Sequence, residues 1–295
     1  MEAVPSVPFA LVSGSASWGI EFPEDLAEPG IRVLKRDLAF ATPWGESSAW
    51  KLLEVDGAYT GDGGTRQILN VFSHGWPLDR IDHAAHRRVA WVLQQAGVRK
   101  ILASSTAGSL NRAVWARDFV IASDILELHQ TQYSLLPGRL EHMCSARQMI
   151  CPELASVLEE TAREVWPAGA RVFGQASGLV AGHSWGPRFQ TAAEALAYRS
   201  LGADFTNHSI AAEATAAREI GACFVNATYI TAAFADYFLP TENVMELENI
   251  HEELIFLGSQ VSLRAIARAT LGDACGCVRQ RSPWPAKYRP RPQPS

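Results

Sequence analysis

The alternation of short apolar runs with amphipathic helical segments constrains the fold of this chain more than any other feature of its sequence. The apolar runs cover residues 9–15, 66–75, 99–110, 117–128 and 222–231. Such runs are typical of strands that are covered on both faces of a sheet. Strands that alternate with helices predict an α/β fold whose sheet lies between layers of helices.

Four further segments have the apolar periodicity of helices. They cover residues 83–97, 151–166, 211–221 and 246–271. Gly97 and Gly221 stand where a helix often ends in a left-handed residue, and Pro152 stands in a first turn, where it is well tolerated. The glycine-rich stretch 56–66 is the best candidate for a loop or hairpin.

The length and composition of the chain predict one large domain. The sequence has 295 residues, of which 47% are hydrophobic and 19% charged, so it can bury a sizeable core. Residues 1–281 are predicted to form this single domain, because no linker separates residues 9 and 271. Residues 282–295 are rich in proline and basic side chains and are predicted to be a disordered tail.

Charge, hydropathy and cysteine usage narrow the classes of partner and compartment. The net charge is -5 and no basic stripe is present, so nucleic acid is not an expected partner. No apolar run reaches about 18 residues, so no membrane span is expected. The start of the chain lacks the pattern of a secretory signal, and five scattered cysteines argue against a disulfide framework. We therefore expect a cytoplasmic protein.

Four loops rich in glycine and hydroxyl side chains, several of them directly after a predicted strand, suggest an anion site. They are residues 13–15, 73–75, 104–110 and 207–209. Backbone N–H groups and hydroxyls presented at strand ends are well suited to hold an oxyanion. A plain turn can have the same composition, so one such loop indicates little and only the set of four points to a site.

The order and spacing of these loops resemble the nucleoside phosphorylase superfamily, in the branch of the methylthioadenosine and purine nucleoside phosphorylases. The resemblance covers residues 9–271 and is most specific at residues 186–191, Gly-Pro-Arg-Phe-Gln-Thr, which are similar to the family's Gly-Pro-x-Phe-Glu/Ser-Thr/Ser. It implies one α/β domain with a central mixed, partly curled β-sheet flanked by helices. It also implies a homotrimer, a small nucleoside substrate, phosphate as cosubstrate and no cofactor.

The resemblance places the phosphate among five side chains. They are Ser15, His74, Ser105, Thr106 and Ser209. His74 is also a candidate catalytic residue. The family's arginine is replaced by Ser73, so the site lacks the bidentate contact that an arginine makes with phosphate. Arg80, Arg87 or Arg88 could take its place, although nothing in the sequence selects one of them.

The base is assigned by the same resemblance to Phe189, Gln190 and Thr231, where Phe189 packs against the base and Gln190 bonds its edge. The family's Asp or Asn that contacts N7 of the base falls at Ala232, which has no polar side chain. The candidate proton donor is therefore Asp236, which comes into register if the loop carries a four-residue insertion.

Two histidines are the candidates for binding the ribose. His208 stands where the family usually has a methionine against the sugar, so it either bonds a sugar hydroxyl or forms a polar wall of the pocket. His142 is similar in position to the residue that the family brings from the neighbouring subunit over the 5′ end of the sugar.

Cys275 and Cys277 flank Gly276, and some methylthioadenosine phosphorylases carry a similar Cys-x-Cys. The pair is interpreted either as two free thiols or as a strained, reversible disulfide. Too few other Cys or His residues lie close by in the sequence to indicate a zinc site, so no metal is expected.

Three functions are compatible with these residues. The leading one is cleavage of the N-glycosidic bond of a purine-like nucleoside with phosphate. Loss of the arginine favours water or another nucleophile, and so a nucleosidase or a specialised biosynthetic enzyme of the same fold. Loss of the base-side carboxylates favours a ligand-binding protein without catalysis.

Overall fold

A mixed eight-stranded sheet forms the centre of the protein in its computed structural model, which describes residues 3–72, 84–128, 142–145, 147–186, 188–233 and 244–283. The strands are β1 Phe9–Ser13, β2 Ile31–Leu38, β3 Ala41–Thr42, β4 Gly45–Glu46, β5 Trp50–Val55, β6 Arg66–Phe72, β7 Lys100–Gly108, β8 Phe119–Val120, β9 Asp124–Glu127, β10 His142–Cys144, β11 Val172–Phe173, β12 Val180–His183, β13 Phe205–Asn207, β14 Cys223–Ala232 and β15 Arg281–Pro283. The helices are α1 Ala85–Gln95, α2 Pro152–Val165, α3 Ala192–Ser200, α4 Ile210–Ile220 and α5 Val244–Arg268.

The central sheet has the strand order β11-β8-β14-β7-β1-β6-β5-β2. Strands β6, β1, β7 and β14 are parallel to one another, whereas β5 and β2 extend one side antiparallel and β8 pairs antiparallel with β14. The carboxyl ends of the four parallel strands therefore meet at one edge of the sheet, where ligand sites of open α/β sheets lie.

A second, three-stranded parallel sheet of order β13-β12-β9 adjoins this edge. An isolated antiparallel bridge between Ser109 and Phe205 connects it to the end of β7. The prediction of an α/β domain with a central mixed, partly curled sheet flanked by helices is confirmed.

Helices cover both faces of β14. Residues 223–230 are all buried, as expected for a strand between two layers. Tyr229 faces α5, where a Cβ placed on Gly258 would lie 2.7 Å from Cε1 of its ring. Asn226 and Thr228 face the opposite side, toward the start of α4. Helix α5 also packs against α2, and α1 packs against α4.

The predicted helices agree with the observed ones in type and approximate bounds. The apolar face predicted for α1 is buried, and Gly97 and Gly221 follow their helices with φ of +69° and +79°. Residues 56–66 connect β5 and β6 as the loop of an antiparallel hairpin, as predicted. Ser282 and Pro283, assigned to the tail from the sequence, pair with β10 as part of β15. No helix in the described ranges is both long and apolar enough to cross a membrane.

Candidate active site

The candidate site lies where β1, β7, β14 and β13 end. Parallel pairing of β1 with β7 and of β7 with β14 brings the loop after Ser13, the last residues of β7 and Thr231 to the same edge. The bridge at Ser109 adds the end of β13, which carries Asn207. Segments far apart in the sequence thus contribute polar side chains to one region.

Ser15 and Thr106, two of the predicted phosphate ligands, are in direct contact. The Ser15 hydroxyl accepts a 2.9 Å hydrogen bond from the backbone N–H of Thr106 and a 3.0 Å bond from its side-chain hydroxyl. Oγ of Ser15 is the acceptor in both bonds. The Ser15 O–H can therefore donate a hydrogen bond to a ligand. The two residues form a hydroxyl pair that links the first loop to the end of β7.

Ser105 points into a buried polar network instead. Its hydroxyl donates to Oδ1 of Asn226 at 2.8 Å, lies 3.1 Å from Oγ1 of Thr228, and accepts a 2.9 Å bond from Nδ2 of Asn207. These contacts occupy the hydroxyl and tie β7, β14 and β13 together. A direct contact between Ser105 and phosphate would compete with this network.

Asn207 also satisfies the first amides of α4. Its Oδ1 accepts 2.8 Å bonds from the backbone N–H groups of Ser209 and Ile210, and a 3.4 Å bond from the Ser209 hydroxyl. Side-chain oxygens commonly satisfy the free N–H groups at the start of a helix. Because these two N–H groups are already bonded to Asn207, they are less available to an anion.

Phe189 and His208, predicted to contact base and ribose, lie against each other. Their rings meet edge to face with centroids 6.1 Å apart. Phe189 is 78% exposed, which is unusual for a large aromatic side chain that serves only the core. An exposed aromatic ring beside a polar ring is suited to a flat ligand that also carries hydroxyls.

Gln190 is buried and donates through Nε2 to the hydroxyl of Ser184. Thr231 is half-buried, and its hydroxyl lies 3.5 Å from the carbonyl oxygen of Ala107. Both lie in segments that end near the candidate site. Their contact with the base stays a prediction.

The segment around Phe189 is anchored by a charged pair and a helix cap. Arg188 makes two 2.7 Å contacts with the Glu194 carboxylate, and this guanidinium lowers the pKa of that carboxyl to about 2. Thr191 and Glu194 form a capping box at the start of α3. The ion pair is exposed and therefore stabilises little, but the capping box fixes where α3 starts.

Sequence analysis did not identify a cluster of three aromatic rings at the end of β12. Trp185, just after β12, meets the ring of His183 at 5.5 Å and the ring of His86 at 5.3 Å, both edge to face. This cluster joins the end of β12 to the first turn of α1. No motif in the sequence relates these residues, because His86 lies about a hundred positions from the other two.

Several predicted residues lie outside the described part of the chain. These are Ser73, His74, Arg80 and Asp236, so their roles stay predictions. Arg88, a possible substitute for the family arginine, is buried in α1 and donates to the carbonyl oxygen of Trp44 at 3.0 Å.

His142 belongs to β10, which pairs with β15. Arg281 of β15 donates to the carbonyl oxygen of Glu219, near the last residue of α4. Ser209 immediately precedes the first residue of that helix, so β10 and the candidate site lie at opposite ends of α4 within one chain.

A surface cavity of about 450 Å³ lies elsewhere, and none of the predicted site residues lines it. Its charged groups pair with one another, Arg171 with Asp118 and Arg117 with Glu253. With these charges already paired, the cavity offers less for an ionic substrate than the strand ends do.

Four cysteines form a cluster that the sequence did not predict. The Sγ atoms of Cys151, Cys223, Cys275 and Cys277 all lie within 4.8 Å of one another. Spacing along the sequence indicated no metal site, but the fold brings distant cysteines to the Cys-x-Cys pair. We refer to these four residues as the cysteine cluster.

Comparison with known proteins identifies the family of this chain. The chain is 31% identical over 180 residues to a probable 6-oxopurine nucleoside phosphorylase of Moorella thermoacetica, covering 60% of this chain and 64% of that protein. It is 28% identical to an S-methyl-5'-thioadenosine phosphorylase of Saccharolobus solfataricus, covering 63% and 65% of the two chains. The matched regions thus span less than two thirds of the length of these relatives.

A crystal structure of a methylthioadenosine phosphorylase from an antarctic soil metagenomic library has the same fold. It superposes with a TM-score of 0.68 at 21% identity and covers 87% of this chain and 85% of its own. The sequence profile of the phosphorylase superfamily matches residues 66–255, which hold five of the eight strands of the central sheet and the candidate site apart from the loop of Ser15. This chain therefore belongs to the phosphorylase superfamily.

Proposed function

We propose that this protein cleaves the N-glycosidic bond of a purine-like nucleoside and transfers the sugar to phosphate. The observation that carries the proposal is the hydroxyl pair of Ser15 and Thr106 at the same strand edge as the exposed Phe189 ring. The first feature suits an oxyanion and the second a flat base. The names of the relatives, which are purine and methylthio-nucleoside phosphorylases, support this substrate class.

Phosphorolysis requires an oxyanion held beneath C1′ of the sugar. In the proposed reaction a phosphate oxygen forms a bond to C1′ while the bond from C1′ to the base breaks, and its electron pair leaves with the base. The Ser15 hydroxyl donates a hydrogen bond to the phosphate and keeps its proton, and Thr106 holds Oγ of Ser15 in place. His74, two residues beyond β6 in the sequence, is proposed as a further donor. Preorganised donors of this kind are worth a few kcal/mol in the transition state.

The leaving base requires a face to stack on and a proton as its negative charge grows. Phe189 supplies the face, and Asp236 is the proposed proton donor. His208, in edge-to-face contact with Phe189, bonds a hydroxyl of the sugar. We extend the proposal to a homotrimer in which His142 of a neighbouring subunit covers the 5′ end of the sugar.

The decisive experiment is a panel of nucleosides incubated with the protein with and without phosphate. The panel holds 5′-methylthioadenosine, adenosine, inosine and guanosine, and base and sugar products are separated by chromatography. We expect free base and a sugar 1-phosphate only when phosphate is present.

Release of base without phosphate would replace the proposal with a nucleosidase, an outcome favoured by Ser73 at the arginine position. Absence of release from every nucleoside, at protein concentrations sufficient for one turnover, would contradict both enzyme readings. Equilibrium dialysis with the same nucleosides would then test the non-catalytic, ligand-binding alternative.

A further inference from the structure

From the cysteine cluster we infer that this protein carries a structural zinc site in which Cys151, Cys223, Cys275 and Cys277 are the four ligands. A tetrahedral site with Zn–S bonds of about 2.3 Å separates its sulfur atoms by roughly 3.8 Å. The four Sγ atoms lie within 4.8 Å of one another, and those of Cys223 and Cys275 are 3.5 Å apart. Small side-chain rotations therefore suffice to close the site around an ion.

Each ligand is fixed by the backbone that carries it. Cys151 precedes the first residue of α2, and its N–H donates to the carbonyl oxygen of Phe224 at 2.8 Å. Cys223 is the first residue of β14. Gly276 has φ of +73°, which lets the chain turn sharply enough for Cys275 and Cys277 to face the same point. The cluster is thus held by three separate segments.

Two buried cations beside the cysteine cluster favour negatively charged thiolates over neutral thiols or disulfides. Lys100 is only 1% exposed, and its ammonium lies 3.3 Å from Sγ of Cys223. Arg218 is also 1% exposed and donates to the carbonyl oxygens of Cys277 at 2.9 Å, Met149 at 3.2 Å and Gln148, which are dipoles and not counter-charges. Within the described residues the Arg218 guanidinium has no carboxylate partner, and Lys100 has one, Glu153 at 3.3 Å.

Buried cations are costly unless an opposite charge compensates them. Four thiolates around Zn²⁺ carry a net charge of minus two, which Lys100 and Arg218 offset, so that with the Glu153 carboxylate one negative charge is left in the surroundings of the site. Binding releases the remaining thiol protons to solvent, and no oxidant is required. Neutral disulfides would leave Arg218 without a counter-charge, so the electrostatics favour the metal.

The location indicates a structural role. Lys100 and Cys223 are the first residues of β7 and β14, so the cluster lies at the opposite edge of the sheet from the candidate active site. Cys151, Cys223 and Cys277 are buried, and all four coordination positions are taken by protein, as in closed structural zinc sites. The ion would join α2, β14 and the segment after α5.

The test is metal and thiol content of the full chain after incubation with Zn²⁺ and removal of excess ion. We expect about one tightly held zinc per chain by mass spectrometry. We also expect all five cysteines to react with Ellman's reagent once the protein is denatured with a chelator. Fewer than five thiols without zinc would show disulfides, and five thiols without zinc would show free cysteines. Either result would overturn the site.

Substitutions distinguish the zinc ligands from the cysteine outside the cluster. Cys151→Ser and Cys277→Ser should lose the zinc, whereas Cys144→Ser, at the exposed cysteine outside the cluster, should keep it. Lys100→Met keeps all four ligands but removes a balancing charge, and should weaken zinc binding roughly 10- to 100-fold, as loss of a group that bonds a metal ligand does. Lys100→Arg should restore it.

Loss of the zinc ligands could also prevent folding, so a readout on the unaltered chain is needed. Co²⁺ in place of Zn²⁺ should give the intense visible bands of a tetrahedral tetrathiolate site. Weak bands typical of oxygen ligands, or their persistence in the Cys277→Ser variant, would contradict the assignment. None of these outcomes depends on nucleoside cleavage.

Discussion

At the scale of single residues, the hydroxyl pair of Ser15 and Thr106 makes the most direct prediction. A hydrogen bond to a charged group contributes about 1.5–3 kcal/mol, which corresponds to roughly a 10- to 100-fold change in an equilibrium constant. Ser15→Ala should therefore raise the KM for phosphate by about that factor, while Ser15→Thr should largely restore it.

Kinetics at varied phosphate and fixed nucleoside measure this effect. Ser156→Ala is the matched control, since Ser156 lies on the outer side of α2 and bonds only to Glu160 at 3.2 Å. An unchanged KM for phosphate in Ser15→Ala would remove the hydroxyl pair from the phosphate site.

Substitution of Phe189 should change the KM for the nucleoside without changing the stability of the fold. Because its ring is largely exposed, Phe189→Ala should change the free energy of unfolding by less than about 0.5 kcal/mol. Loss of an aromatic contact of about 0.5–1.5 kcal/mol should raise the KM for the nucleoside roughly three- to tenfold. Urea unfolding and steady-state kinetics on one preparation give both values.

The matched control for Phe189 is Leu196→Ala on the exposed side of α3, which should change neither quantity appreciably. A marked loss of stability in Phe189→Ala with an unchanged KM would instead identify the ring as a packing residue.

At the scale of elements, the contact between α5 and β14 depends on the absence of a side chain at Gly258. A Cβ there would lie 2.7 Å from Cε1 and 2.9 Å from Cδ1 of the Tyr229 ring. That ring cannot easily move, because its hydroxyl lies 2.9 Å from Nδ1 of His251 and Trp166 packs against it.

Gly258→Ala therefore sets two effects against each other. Alanine favours a helix interior by about 1 kcal/mol over glycine, whereas overpacking a core costs about 1–3 kcal/mol. We expect a net loss of about 1 kcal/mol in the free energy of unfolding, measured by urea denaturation. Glu252→Ala, an exposed position on the same helix, should show no such loss, and a Gly258→Ala variant as stable as the parent would refute the close contact.

The parallel strands at the centre of the sheet were the most predictable from the sequence, whereas the buried strands β5 and β12 were missed. Strands β1, β6, β7 and β14 are long and apolar, so their runs identify them directly. Strand β2 was not predicted, because it is an edge strand with mostly exposed, charged residues. Helix α3 was also missed, since its apolar periodicity is weak, although the capping box of Thr191 and Glu194 marks its start.

The candidate site was less predictable than the fold for a related reason. The resemblance to a family supplied Ser15 and Thr106, which the structure brings into contact. It could not show that Ser105 is engaged by Asn207 and Asn226, because that network depends on the register between strands distant in sequence. The cysteine cluster has the same origin, in the pairing of β7 with β14 and the return of the chain after α5.

At the scale of the whole molecule, the proposed role of His142 makes a prediction about assembly. Helix α4 has 11 residues and is therefore about 16 Å long. Ser209 lies at its first end, whereas β10, which carries His142, pairs with β15 beside its last residues. A role of His142 over the sugar therefore requires a second copy of the chain that presents β10 to this site, as a head-to-tail cyclic trimer does.

This arrangement predicts that two variants with impaired activity at low phosphate regain activity when they share an oligomer. His142→Ala and Ser15→Ala disable different parts of the site, so a mixed trimer contains sites that combine an intact Ser15 from one chain with an intact His142 from the next. Random assembly of equal amounts should make about a quarter of all sites fully intact, and about a third of the sites in the mixed trimers that the two tags select. Co-expression with two affinity tags, sequential purification and the phosphate-dependent cleavage assay measure this fraction, while light scattering should give three times the chain mass of 32.2 kDa.

Co-expression of His142→Ala with a His142→Ala/Phe189→Ala chain is the control, since no pairing of these chains rebuilds a site. Mixed oligomers no more active than their parents would mean that His142 does not act across an interface, because only a contact between subunits can be complemented in this way.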